Sequence, residues 1–164
     1  MRTIIGFLSF LLLGNTLLYS QTGENYMVGN KVYNAKQEVD PKFFQEEFIE
    51  KLVFIRINEV RTERGFEPYE KSEILQKAAK LQANYMVSID DRTHEHEDKD
   101  LETTTKRLQH FGGSGRGLEL IERESIKKRG IYYTYKQLAD NIAFEWFNSS
   151  RDSKHLYSDE YTLM

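Results

Sequence analysis

A glycine-rich segment, GGSGRG at residues 112–117, divides the chain into two regions with different patterns of apolar residues. Glycine loses more backbone freedom on folding than other residues, so neither a helix nor a strand is expected to continue through this segment. Before it, apolar residues recur at helical spacing; after it come a short alternating run and one further helical pattern. This order predicts helices before the glycine-rich segment, and a strand followed by one further helix after it.

Capping residues and alternation indicate the individual elements. Asp40-Pro41 predicts the start of the first helix, and Gly65 predicts its end. The run LELIERES, residues 118–125, is the best strand candidate because apolar and polar side chains alternate along it. Further helices are predicted to begin near Ser72, at Thr103 and at Thr134, the last with a capping box that Gln137 completes.

The N-terminal residues have the pattern of a secretory signal peptide, predicted over residues 1–20. Arg2 provides a positive start, an apolar stretch follows over residues 4–18, and Ser20-Gln21 suits cleavage. The apolar stretch is too short and too interrupted for a comfortable membrane span, so no stable span is expected after cleavage. The protein is therefore predicted to be exported, either to a periplasm or outside the cell.

The remaining chain has the length of one domain, predicted over residues 42–164 after a polar arm or linker over residues 21–41. The chain contains no cysteine, so no disulfide staples the fold and no thiol can bind a metal. The formal net charge is −3, which argues against general nucleic-acid binding because that function needs a basic face. The hydrophobic core alone is expected to stabilise the domain.

Two histidines, His94 and His96, lie within the acidic stretch THEHEDKD. Residues two apart point to the same side of an extended segment, and imidazole with carboxylate forms a common zinc donor set. The stretch does not match the His-Glu-x-x-His helix of metalloproteases, because Asp98 takes the place of the second histidine. Two interpretations stay open: part of a zinc or weak calcium site, or a solvated acidic loop.

Glu119 interrupts an apolar run directly after the glycine-rich segment. On a half-buried strand its side chain could face water; alternatively it points into a cleft, where a metal or a histidine would keep it charged. Ser149 follows the last predicted helix, and a helix-capping serine is the simplest interpretation unless His155 folds back to act as its base.

Taken in order, these motifs resemble the CAP superfamily, also called the SCP-like extracellular domain, which includes cysteine-rich secretory proteins, antigen 5 and pathogenesis-related plant proteins. The resemblance begins in LVFIRINEVRTERGFEPYEKSEILQKAAKLQANYM and depends on seven short motifs in a fixed order. They are Asn58 with Arg61, Gly65 with Pro68, Leu75 with Ala78, Ala79 and Met86, Thr93-His94, Arg107 to Gly112, Gly117-Leu118-Glu119, and Trp146 with Ser149 and His155.

The resemblance implies a domain of the α+β class, an α-β-α sandwich in which three to four helices surround a small mixed or antiparallel sheet with an open cleft. By this mapping the cleft would contain His94, Glu119 and His155, with Ser149 where many members have a second glutamate and His96 as the reserve first histidine. The chain departs from the family pattern: Leu120 replaces a usual asparagine, and His155 lies later than usual after Trp146. Two strands that normally follow are missing from the sequence, so the domain is expected to be C-terminally incomplete.

Three functions are compatible with this resemblance. The main hypothesis is an exported CAP-domain protein whose cleft binds a divalent cation such as zinc, through His94, His155 and Glu119, or a small-molecule, lipid or protein ligand. The second is a hydrolase or protease that uses the same cleft, with Glu119 and His155 as possible catalytic groups; it is the less favoured because no nucleophile motif supports it. The third is a structural or interaction domain with a vestigial cleft.

Overall fold

The computed structural model describes residues 4–6 and 24–164. In the described chain, three short strands precede three helices, and three further short strands precede two helices. The strands are β1 (Ile4–Gly6), β2 (Asn25–Val28), β3 (Lys31–Asn34), β4 (Glu122–Glu124), β5 (Lys127–Lys128) and β6 (Ile131–Tyr132). The helices are α1 (Glu46–Glu63), α2 (Glu73–Ile89), α3 (Thr104–His110), α4 (Tyr135–Asn148) and α5 (Ser153–Leu156).

The strands described form three separate antiparallel pairs. β1 pairs with β4 so that Ile5 lies opposite Arg123, β2 forms a hairpin with β3, and β5 forms a hairpin with β6. Pairs this small have little stability of their own in water and must pack against helices. The sheet component of the domain is therefore held in place by the helices around it.

The main hydrophobic core lies between α1 and α4, which make the most extensive helix contact in the described chain. Both helices repeat apolar residues at helical spacing, so each buries one continuous stripe. Trp146 is 1% exposed at the centre of this core. The stripe of α1 comprises Phe48, Ile49, Leu52, Val53 and Ile57, and that of α4 comprises Leu138, Ala139, Ile142, Ala143 and Trp146.

A second, smaller cluster joins α2 to the segment before β4. It contains Ala79 and Met86 from α2 and Ile121 from that segment. α4 contacts β4 on one side, and α2 contacts both β1 and α3 on the other. The arrangement is layered, with strand β4 between the α1–α4 pair and the α2–α3 pair, and it confirms the predicted α+β class and its α-β-α layering.

Several local predictions match the structure. α2 begins after Ser72, whose Oγ accepts a hydrogen bond from the Leu75 backbone N–H at 3.3 Å. The capping box of α4 is present, because Thr134 and Gln137 each accept a hydrogen bond from the other's backbone N–H. These caps satisfy backbone donors that a helix N-terminus otherwise leaves without partners.

Two predicted boundaries differ from the structure. α1 begins at Glu46 rather than after Asp40, because the Asp40 carboxylate accepts a hydrogen bond from the Lys42 backbone N–H at 2.8 Å and forms a local turn instead. The strand predicted over residues 118–125 is confined to Glu122–Glu124. Residues 118–121 have no regular secondary structure and lie beside α3.

The arm predicted over residues 21–41 contains the β2–β3 hairpin, and Ala35 and Val39 beyond it are each 1% exposed in the main core. The predicted signal peptide over residues 1–20 lies outside the described residues, apart from the three residues of β1. Among the helices that the structure describes, none combines the length and the apolar character needed to cross a membrane.

Candidate functional site

Arg107 on α3 organises the loop that carries the acidic stretch. Its side chain is fully buried, and its guanidinium donates hydrogen bonds to the backbone carbonyls of Leu101 at 2.8 Å and His94 at 3.2 Å. It also donates to the Glu102 carbonyl at 3.3 Å and to Thr104 Oγ1 at 3.3 Å. A planar guanidinium with five donors suits several acceptors at once, so this one side chain fixes both ends of residues 94–102.

A second buried side chain, Gln82 on α2, supports the same loop from the opposite side. Its Nε2 donates to the carbonyls of Thr93 at 2.8 Å and Glu95 at 3.0 Å. Gln82 is 0% exposed, so these bonds form in a low-dielectric surrounding where a missing partner would be costly. His94 is therefore held by backbone contacts on both sides.

Glu119 is the carboxylate at the centre of the site. Its side chain is only 5% exposed, and its Oε1 accepts a hydrogen bond from Arg107 at 2.7 Å. Its Oε2 lies 2.9 Å from His94 Nδ1. A buried carboxylate is tolerated when it is paired and hydrogen-bonded, and here both oxygens have charged or polar partners. The Glu119–His94 contact orients the imidazole through Nδ1, and its Nε2 has no hydrogen-bond partner within residues 24–164.

Gly117 explains why the glycine-rich segment precedes Glu119. A Cβ at this position would lie 2.5 Å from Leu108 Cδ1 and 3.0 Å from Thr104 Cγ2. Both distances are shorter than a normal carbon–carbon contact, so a larger residue would require either the Leu108 and Thr104 side chains or the segment itself to move. The glycine thereby permits the close approach that places Glu119 against Arg107.

His94 lines one wall of a polar cavity of about 390 Å³. Ser149 and Asp152, which follow α4, line the opposite wall, and Glu122 and Glu145 complete the acidic part of the lining. Two of these three carboxylates are paired with arginines: Glu122 with Arg92 at 3.6 Å, and Asp152 with Arg151 at 2.9 Å. We call this hollow the polar cavity.

Asp152 is a carboxylate of the polar cavity whose negative charge is stabilised by neighbouring groups. Its burial raises the pKa of the carboxyl, but hydrogen bonds from Arg151 and Ser149 and the positive charges of Arg151 and His94 outweigh that effect. The pKa of Asp152 is therefore held below its usual value. The Ser149 Oγ also accepts a hydrogen bond from the Asp152 backbone N–H at 3.2 Å, which fixes the turn that presents the carboxylate.

A second hollow of about 460 Å³ lies on the other side of Glu119. Its walls come from α2, α3, residues 112–120 and the C-terminal residues 160–164, and most of the lining side chains are apolar. Glu119 and His155 are among its polar lining residues. We call it the apolar groove; its lining includes Ile74, Leu75, Ala78, Leu108, Leu118 and Leu163.

The structure brings some of the predicted site residues together and separates others. His94 and Glu119 form a pair, and Ser149 shares the polar cavity with His94. His155 instead lines the apolar groove, where its ring contacts Tyr161 edge-on at 5.9 Å. His96 stacks on Tyr85 with 4.0 Å between ring centroids, and its Nδ1 accepts a hydrogen bond from the Asp98 backbone N–H at 3.0 Å.

The donor set does not fit a three-ligand zinc site in this arrangement. In the part of the chain that the structure describes, no three histidine, aspartate or glutamate side chains are grouped to hold a metal ion. Glu119 already accepts from Arg107 and contacts His94, and His155 lines a different hollow from His94. Zinc binding through His94, Glu119 and His155 stays a prediction from the resemblance.

Two residues of the site were not among the predicted site residues. The sequence marks Arg107 only as part of a family motif, although a cation beside an isolated buried carboxylate is what the low-dielectric surrounding requires. The sequence gives no signal for Asp152, which lies three residues before His155. The short helix α5 begins directly after Asp152, and only its placement shows that Asp152 rather than His155 lies beside the polar cavity with His94.

Fold and site together define a layered α+β domain in which a buried carboxylate lies between a polar cavity and an apolar groove. Residues 54–164, more than half of the chain, match the family model for CAP, the cysteine-rich secretory protein family. The chain belongs to this family, which confirms the resemblance of its motifs even though it contains no cysteine. Comparisons with curated proteins and with solved structures gave no match.

Proposed function

We propose that this CAP-domain protein binds a small amphipathic molecule, such as a lipid, in the apolar groove. The observation that supports the proposal best is the groove itself, which has about 460 Å³ of space and a largely apolar lining. Small-molecule sites are commonly hollows of roughly 300–1,000 Å³ with apolar walls and a few convergent polar groups. The groove has this volume and a mainly apolar lining, whereas the polar cavity is lined mostly by charged and polar side chains.

The polar groups of the groove suggest how a ligand would be oriented. Glu119 and His155 lie among its lining residues, and Arg116 provides an exposed cation there. A molecule with an apolar body and one polar end would bury its body against Leu108, Ile74 and neighbouring side chains. Its polar end would reach the charged or hydrogen-bonding groups, which is the usual division of roles in such sites.

Fluorescence titration with cis-parinaric acid, a naturally fluorescent fatty acid, tests the proposal. Leu118 lines the groove and is 40% exposed, so Leu118→Asp puts a charge on the wall without disturbing the core. We expect binding at least about tenfold weaker, because an apolar ligand would have to desolvate that charge. Val87→Asp is the matched control, since Val87 is 58% exposed and does not line the groove.

The result that would contradict the proposal is equal binding by the wild-type protein, Leu118→Asp and Val87→Asp. Absence of binding by the folded wild-type protein would also count against it. That second outcome would favour the remaining hypothesis, a structural or interaction domain whose cleft has no ligand. Circular dichroism of each variant establishes whether it is folded.

A hydrolytic function is the second candidate, and the His94–Glu119 contact at 2.9 Å favours it. A carboxylate on Nδ1 orients an imidazole so that Nε2 can take a proton, as in other acid–base sites. Turnover of a panel of esters and peptides tests this idea. We expect any such activity to fall by about 10²–10⁴-fold in His94→Gln, which is the range for removing a general base. Activity that survives this change would exclude His94 as the base.

Zinc binding requires its own experiment because the described geometry does not fit it. Binding would require Glu119 to release His94 or Arg107. Calorimetric titration of zinc into the wild-type protein, His94→Ala and His110→Ala separates the cases. Affinity that falls only in His94→Ala would support a rearranged site, whereas equal affinities for all three proteins would exclude a site at His94.

Export is also part of the proposal, supported by the signal-like pattern of residues 1–20 and by family membership. Intact-mass measurement of the protein from its native source checks it. A mature chain beginning near Gln21 would agree with cleavage of a signal peptide. A chain that retains Met1 in the secreted or periplasmic fraction would contradict cleavage.

A further inference from the structure

The β5–β6 hairpin presents three consecutive cations on an exposed tip. Lys127, Lys128 and Arg129 are all exposed, and the turn continues through Gly130. Both turn residues have positive φ angles, +52° at Arg129 and +84° at Gly130. This is the backbone of a tight hairpin turn, which asparagine or glycine adopts more easily than arginine does. An exposed arginine therefore occupies a turn position whose backbone conformation it adopts less easily than asparagine or glycine does.

The hairpin is anchored at its base. Ile126 is buried in the main core, and Tyr132 packs against it while contacting the Lys127 ammonium, with Nζ 5.7 Å from the ring centre. The Tyr133 backbone N–H donates to the Ile126 carbonyl at 3.0 Å. The tip is thus a projection on a fixed base, and its side chains have a defined direction.

The cross-strand register places an apolar residue among the cations. Lys128 lies opposite Ile131, so the two side chains share one face of the hairpin. Ile131 is 72% exposed, which gives the largest exposed fraction among the large apolar residues of the described chain. An isoleucine this exposed beside three cations combines the two features of peptides that bind at a membrane interface.

The three cations of the tip form no ion pair in the described chain, although burial raises the pKa of the nearby Glu124 carboxyl and the charge of Lys128 acts against that effect to lower it. The flanking cations are paired, Arg123 with Asp90 at 2.6 Å and Lys136 with Asp140 at 2.7 Å. No ion pair with a carboxylate is formed by the three cations of the tip in residues 24–164. Because the chain as a whole carries a net charge of −3, this tip is a local exception that would attract an anionic surface.

We propose that the tip, residues 127–131, docks the protein on anionic lipid bilayers, with the cations at the headgroups and Ile131 inserted between them. A bilayer fits better than a soluble polyanion, because a polyanion would use the cations and leave Ile131 without a role. The inference is independent of ligand binding in the apolar groove. In this proposal the tip attaches the protein to a bilayer, and ligand binding in the apolar groove does not depend on that attachment.

Co-sedimentation of the protein with vesicles tests the proposal. One set of vesicles contains equal parts of phosphatidylglycerol and phosphatidylcholine, and the other contains phosphatidylcholine alone. We expect binding to the first set only, weakening as salt is added. The triple variant Lys127→Gln, Lys128→Gln, Arg129→Gln is expected to bind about a hundredfold more weakly, from roughly a fivefold loss for each removed charge.

The matched control removes the same number of charges elsewhere, at Lys31, Lys42 and Lys77, all exposed. This triple glutamine variant is expected to keep most of the wild-type binding. Ile131→Ser, which keeps every charge, is expected to bind anionic vesicles about tenfold more weakly because the inserted side chain is lost.

Two results would overturn the proposal. One is an equal loss in the tip variant and the control variant, which would show that total charge rather than the tip matters. The other is unchanged vesicle binding by Ile131→Ser together with full competition by heparin, which would identify a soluble polyanion as the partner. Circular dichroism confirms that each variant is folded.

Discussion

Two buried arginines, Arg61 on α1 and Arg107 on α3, have different structural roles in this domain. Arg61 is 1% exposed and Arg107 is 0% exposed, and each donates hydrogen bonds to backbone carbonyls outside its own helix. Arg61 binds the carbonyls of Glu67 at 2.8 Å and Ser158 at 3.0 Å and lies 3.8 Å from the centre of the Tyr69 ring. Arg107 binds the loop around His94 in a similar way.

The difference lies in the carboxylate that each arginine pairs with. Arg61 lies 3.4 Å from Asp159, whose side chain is 65% exposed, so water can solvate that charge. Arg107 lies 2.7 Å from Glu119, whose side chain is 5% exposed, so no comparable solvation is available. Arg61 therefore acts mainly as a clamp between chain segments, whereas Arg107 also keeps a buried charge in place beside His94.

The largest expected effect follows from removing Arg107. Arg107→Met leaves Glu119 as an uncompensated buried charge and several carbonyls without donors. Breaking a buried ion pair by removing one partner typically costs about 3–5 kcal/mol. We expect a loss of stability of that size in urea unfolding, and loss of the His94–Glu119 arrangement.

Adding Glu119→Gln to this variant sharpens the test. If the cost comes from the unpaired charge, the double variant is expected to recover part of the lost stability, giving a coupling energy of about 1–3 kcal/mol. Strict additivity of the two changes would show that Arg107 acts only through its carbonyl bonds. Arg92→Met, which removes an arginine that is 53% exposed, is the control and is expected to cost less than about 1 kcal/mol.

The next largest loss of stability is expected from removing Arg61, which acts as the clamp between chain segments. Arg61→Met removes the donors to three backbone carbonyls, those of Glu67, Leu156 and Ser158, but leaves no buried charge behind. Buried acceptors without partners cost roughly 1–3 kcal/mol, so we expect a loss of about 2–3 kcal/mol in urea unfolding. A loss equal to that of Arg107→Met would mean that the two arginines do not differ as described.

Much of the helical framework could be predicted from the sequence, because it depends on short-range chemistry. The capping box of Thr134 and Gln137 and the cap at Ser72 use residues within one turn of the helix they begin. The start of α1 could not be predicted in this way. The Gln45 backbone N–H donates to the Tyr135 hydroxyl at 2.9 Å, a contact between residues 90 positions apart that fixes where the chain turns into the helix.

The candidate site likewise contains residues that could be predicted from the sequence and residues that could not. Glu119 could be suspected from a lone carboxylate after a glycine-rich segment, and its proximity to His94 from the order of the family motifs. The role of Asp152 could not be predicted from the sequence, because nothing distinguishes a carboxylate between Arg151 and Ser153 from an ordinary surface residue. Its position beside the polar cavity depends on how α4 ends and α5 begins. The Gly29-Asn30 turn signal of the first hairpin was present in the sequence, but weak alternation on either side concealed it.

A smaller loss of stability is expected from changing Asp152, the paired carboxylate of the polar cavity. Its folded pKa is lowered, so its contribution to stability is present above the unfolded pKa of about 3.9 and is lost as the pH falls through the folded value. Asp152→Asn is expected to be less stable than the wild type by about 1 kcal/mol at neutral pH. In urea unfolding this difference is expected to shrink as the pH falls below 4 and to vanish in stronger acid; a difference that is independent of pH would contradict the assignment.

The smallest loss of stability is expected from changing Asp159, the exposed ion-pair partner of Arg61. Asp159→Asn removes the exposed carboxylate but leaves the carbonyl acceptors of Arg61 in place. Exposed ion pairs contribute about 0–1 kcal/mol, so we expect a loss below about 0.5 kcal/mol that disappears in high salt. Glu119→Gln, at the corresponding position of the Arg107 pair, is expected to cost more and to be less sensitive to salt, because that pair is screened from water. If Asp159→Asn and Glu119→Gln had equal costs with equal salt dependence, burial of the carboxylate would not be what distinguishes the two arginines, and Arg107 would be a second structural clamp.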